Sequence, residues 1–129
     1  MRGRGERCEI RRVRLGLVLV LPLLNLITLG LMLSHVVLFW LKPDLTVAQR
    51  QDFETRLRAL GSIPGVVAFH VGTVATTDRP VIDRSYSFGL NLIFPDMAAH
   101  DAYQTHPTHQ AFVDNCKTLW TKVVIYDFA

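Results

Sequence analysis

A chain of 129 residues with formal charge +3 reads at first as basic, but the surplus is local: the first fourteen residues, MRGRGERCEIRRVR, hold six arginines against two glutamates. Beyond them eight basic residues face nine acidic ones, and no stripe of Arg or Lys interleaved with aromatics remains, which argues against a nucleic-acid partner. Cys8 and Cys116 lack metal-ligand spacing and fit no disulfide framework, so the composition points to a reducing, cytoplasmic setting.

From Leu15 to Leu41 no charged residue interrupts LGLVLVLPLLNLITLGLMLSHVVLFWL, long enough for a membrane span with arginines on the inner side. Its second half, HVVLFWLKP, has instead the Val, Phe and Trp content of a buried strand and stops at Lys42-Pro43. Only residues 15–33 then remain for a membrane, broken by Pro22, Asn25 and Gly30, and Met32 opens the strand directly. Residues 1–31 are read as an N-terminal extension, a mis-called start ahead of a domain at 32–129. The competing reading is a membrane anchor through residues 15–33.

About a hundred residues remain, enough for one modest core. A first strand is predicted at Ser34–Lys42. Thr46 and Gln49 form a capping-box pattern, and Phe53, Leu57 and Leu60 recur at helical spacing until Gly61. A second strand starts near Val66. After the polar loop ATTDRPVIDR, the stretch SYSFGLNLIF alternates so that Tyr86, Phe88, Leu90, Leu92 and Phe94 share a face. A helix is expected from Asp96, interrupted near Pro107 and resumed to about Trp120, before a last strand in KVVIYDF. His35, Val37, Phe39 and Leu41 alternate with Val36, Leu38 and Trp40, so the first strand is apolar on both faces. Two helices cover one face of four strands and nothing in the chain covers the other, so a second copy is the expected cover.

HVVLFWLKP, IPGVVAFHVG, DAYQTHPTHQAFV and VVIYDF together resemble the stress-responsive A/B barrel (Dabb) family over Leu33 to Phe128. The resemblance implies an α+β, ferredoxin-like βαββαβ subunit that forms a dimeric α/β barrel, with residues 1–31 outside the domain. No glycine-rich phosphate cradle or nucleotide motif in the sequence suggests a bound cofactor. Most members are small dimers without assigned chemistry, whereas one plant member is a cofactor-free aldol-type cyclase. That cyclase's opening-strand histidine matches His35, its tyrosine Tyr103 and its histidine base His109. Phe88 replaces another of its histidines and Leu57 a tyrosine, which puts the same substrate in doubt.

The histidines can also be read by phase. Pro107 disfavours helix at His106 and suits the first position of a new helix. His109 then repeats with Phe112, Val113, Cys116, Leu119 and Trp120 and points inward. Burial and the helix N-terminus both oppose its charged form, leaving a ring nitrogen able to accept a proton. Tyr103 shares a face with Ala99 and Ala102 and faces the same region. His35 is read as bonding His109 or a carbonyl, His70 as structural and His100 as solvated. No metal site is expected from His106 and His109, which diverge at the proline.

Two functions remain open. One is a homodimer in which the corner of His35, Tyr103 and His109 only organises the fold. The other is an enzyme acting without a cofactor on a small apolar carbonyl or phenolic compound, with His109 as base and Tyr103 as oxyanion donor. An enclosed cavity at that corner separates them, since a filled core favours the first.

Overall fold

The computed structural model describes residues 32–129. Both the N-terminal extension and nearly all of the candidate anchor at 15–33 lie outside the described residues. Among the described residues no helix is long and apolar enough to cross a membrane.

The elements run β1 (Leu33–Leu41), α1 (Val47–Ala59), a short 3-10 turn (Leu60–Ser62), β2 (Ala68–Gly72), β3 (Phe88–Phe94), α2 (Met97–Thr105), α3 (Pro107–Cys116) and β4 (Trp120–Phe128). The four strands form one antiparallel sheet in the order β2-β3-β1-β4. This is the ferredoxin-like α+β subunit, with its second helix split in two.

Local chemistry sets the boundaries. The Thr46 hydroxyl accepts from the Gln49 backbone, while the Gln49 side chain accepts from the Thr46 N–H, the two halves of a capping box. The Asp96 carboxylate accepts from the Ala99 N–H, so α2 begins at Met97, one residue past the sequence reading. Gly65 adopts φ 95°, a left-handed turn that suits glycine, between α1 and β2. Ser87 fastens the end of the long β2–β3 loop to β1, donating to Phe39 O at 2.7 Å and accepting from Leu41 N at 3.0 Å.

The core lies between the helices and the sheet face carrying Val37, Phe39, Leu41, Phe88, Leu90, Leu92 and Phe94, all buried. Phe53 of α1 is wholly buried and meets the rings of Phe39, Phe88, Phe112 and Trp120 at centroid separations of 5.3–6.4 Å. Truncating Phe53→Ala is expected to cost about 3–5 kcal/mol, because the surrounding rings close the void only in part. Urea denaturation checks this, and a loss below about 1 kcal/mol would contradict the packing described.

Two expectations are corrected. The second helix does not resume to Trp120. It ends at Cys116, and Trp120 opens β4, paired with Leu41 across a register shift that turns the indole onto Phe39 and Phe112. Strand pairing, including Lys42 N donating to Leu119 O at 2.9 Å, overrides the helical phase here. Tyr86 also leaves the row of Phe88–Phe94. It precedes β3 and meets Trp40 at 6.5 Å, on the side away from the helices.

That side carries Val36, Leu38 and Trp40 from β1 and Val124, Tyr126 and Phe128 from β4, as the pairing Val36↔Tyr126 and Leu38↔Val124 requires. Tyr126 and Phe128 are 58% and 61% exposed. No element among the described residues covers this face.

Candidate functional site

The site grows out of the break between α2 and α3. Pro107 has no N–H and cannot continue α2, so His106 takes an extended conformation (φ −65°, ψ 137°) and serves as the C-cap of α2 and the N-cap of α3. Its Nδ1 accepts from the Thr108 backbone at 3.2 Å. In an unbroken helix that Thr108 N–H would bond the Gln104 carbonyl. The carbonyl is instead taken by His109, whose Nδ1 lies 3.0 Å from it.

A carbonyl only accepts, so His109 Nδ1 carries the proton and Nε2 keeps its lone pair. Burial pushes the His109 pKa below its ordinary 6.5, with the neighbouring His35 and His100 adding to the shift and the Gln104 carbonyl opposing it. At neutral pH His109 is therefore an uncharged imidazole with a free Nε2.

Tyr103, on the preceding helix, is only 1% exposed, and its ring lies 4.6 Å from that of His109. Burial raises the pKa of its phenol, which stays protonated and remains a donor. His35 of β1 is 3% exposed, with its ring centroid 5.8 Å from Tyr103. The three residues line one partly open pocket of about 180 Å³ between the inner sheet face and α2–α3, together with Val37, Phe112 and Ile125. Its outer wall is the edge strand β4, where Val123 and Ile125 are 38% and 51% exposed on the helix side.

The structure thus brings His35, Tyr103 and His109 together and sends His106 to the cap. His70 lies exposed on the uncovered sheet face. Phe88 and Leu57 are buried in the core.

Two expectations change. His35 bonds neither His109 nor a carbonyl; its Nδ1 donates to the Asp127 carboxylate at 2.6 Å, because register places Asp127 opposite it on β4. His100 is not solvated. Its side chain is 12% exposed and its ring stands 5.3 Å from His35 and 5.6 Å from Phe94. Asp127 and His100 are the residues that sequence reasoning missed. Both left a trace: an ionisable residue inside the apolar run VVIYDF, and a histidine three positions before Tyr103, hence on the same helix face.

The family model for the stress responsive A/B barrel domain matches residues 33–129. The chain belongs to that family. A solved Dabb protein from Mesorhizobium loti with a ferredoxin-like fold is 32% identical, covering 76% of this chain and 95% of its own, with a TM-score of 0.63. A dimeric ferredoxin-like protein of unknown function from Thermobifida fusca is 25% identical over 78% of this chain and 92% of its own, at a TM-score of 0.64. Olivetolic acid cyclase of Cannabis sativa is 24% identical over 96 residues, 74% of this chain and 93% of the cyclase. The proteins this chain is similar to thus include one of unknown function and one named as an enzyme.

Proposed function

We propose that this Dabb protein is a homodimer whose subunits each bind a small, largely apolar carbonyl or phenolic compound and move a proton on it. His109 Nε2 is the base and the Tyr103 hydroxyl the donor to the developing oxyanion. One observation carries this reading: the cavity sits at the corner of His35, Tyr103 and His109 instead of being filled by side chains. An apolar cavity of about 150 Å³ holds a benzene ring, so a space of about 180 Å³ suits a compound of that size. The dimer reading rests on the uncovered apolar sheet face and on the dimeric Thermobifida fusca relative.

The test is exchange of the α-protons of small apolar ketones into D2O, catalysed by the purified protein above the buffer rate. If ketones and phenols neither exchange nor shift the His109 and Tyr103 resonances at millimolar concentration, the corner only organises the fold.

A further inference from the structure

We propose that His35, His100 and Asp127 form a binding site for a divalent transition cation of the zinc type, beside the cavity and separate from the His109 base.

Two imidazoles and one carboxylate meet here from three elements, β1, α2 and β4. One ligand atom from each lies within 4.8 Å of the others. Bonds of about 2.0–2.2 Å to one ion need donor atoms roughly 3–3.5 Å apart, so adjustments of about 1 Å complete the arrangement. His35 Nδ1 and Asp127 Oδ1 are at 2.6 Å, and His100 Nε2 stands 4.0 Å from Asp127 Oδ2. The carboxylate already turns one oxygen toward each histidine.

The second observation concerns what holds His100. Its Nδ1 lies 3.2 Å from the Asp101 carboxylate, which only accepts, so that nitrogen carries the proton. Its Nε2 faces the Gln104 side-chain amide at 3.2 Å, an N–H donor, and therefore presents a lone pair. A histidine that donates one ring N–H to a carboxylate while its other nitrogen is free is the support found around metal-bound imidazoles.

Binding replaces the Gln104 contact with the ion and removes the shared proton between His35 and Asp127. That proton moves from His35 Nδ1 to Nε2, so no net charge has to leave the imidazole. Asp127 is 42% exposed, which gives the ion a path from solvent. Three protein ligands leave a coordination position open, as in zinc sites that accept a further ligand. His109 and Tyr103 are not ligands of this site, so cation binding and ketone exchange are read by separate measurements.

The experiment is a Co2+ titration of the tag-free full-length protein, read by visible absorption, followed by displacement with Zn2+. The expected result is one equivalent bound with the intense bands of a four- or five-coordinate ion. His100→Ala and Asp127→Asn should each weaken binding at least tenfold, and His106→Ala should leave it unchanged. Zn2+ should also perturb the His35 and His100 imidazole resonances of the unsubstituted protein, a readout that needs no variant. Absence of saturable Co2+ binding overturns the site, as does binding that persists unweakened in His100→Ala or leaves those two imidazoles unmoved.

Discussion

A His109→Gln variant is expected to exchange ketone α-protons about 10²–10⁴-fold more slowly than the parent, the range that a positioned general base contributes. Glutamine supplies an amide N–H for the Gln104 carbonyl that His109 satisfies, so the α2–α3 junction keeps its hydrogen bond and the fold persists. What disappears is the lone pair on Nε2. Tyr103→Phe keeps the buried ring and removes only the donor, with an expected loss of about 10²–10³ in kcat, as for other oxyanion donors. The parent rate should be flat above the His109 pKa and fall as pH drops through it. Since burial holds that pKa below 6.5, the midpoint of the decline lies below that value. His106→Asn, which retains a capping acceptor at the start of α3, should leave the rate unchanged. Equal rates for His109→Gln and the parent would remove His109 from any chemistry.

The second large effect concerns the uncovered face. Leu38 lies near the middle of β1, paired with Gly89 on one side and Val124 on the other, on the face away from the helices. A Leu38→Asp substitution is expected to split the dimer by burying an unpaired carboxylate against the second copy. The cost is on the order of 3–5 kcal/mol, which raises the dissociation constant by about 10²–10³ or more. Sedimentation velocity at micromolar concentration reads this directly: the parent runs as a dimer, the variant as a folded monomer. A parent that is monomeric, or a variant that remains dimeric, contradicts assembly through this face.

The fold was legible because its signals are local. Alternation in β1 and β3, the capping box at Thr46 and Gln49, and the proline after His106 each act within a few residues, and each fixes an element or its end. Trp120 was misread because it lies in phase with Phe112 and Cys116 on a helical repeat, while the pairing of Leu41 that decides its place comes from the far end of the chain. The site divides in the same way. His109 and Tyr103 follow from helix phase and the proline break. The Asp127 contact to His35 depends on the β1–β4 register across 92 residues, which no local pattern contains. His100 failed for another reason: on α2 it sits at the edge of the buried stripe, and only the closeness of β1 and Phe94 turns that edge inward.

The break between α2 and α3 makes His109 a neutral imidazole with its proton on Nδ1 and a free Nε2. Long-range 1H–15N correlation spectra of the imidazoles, recorded across pH, read tautomer and titration together. A protonated Nδ1 and an unprotonated Nε2 are expected for His109 at pH 7, with a midpoint below 6.5. An Nε2–H tautomer, or a midpoint at or above 6.5, would mean that His109 is not the base and that the break between α2 and α3 serves only to turn the chain.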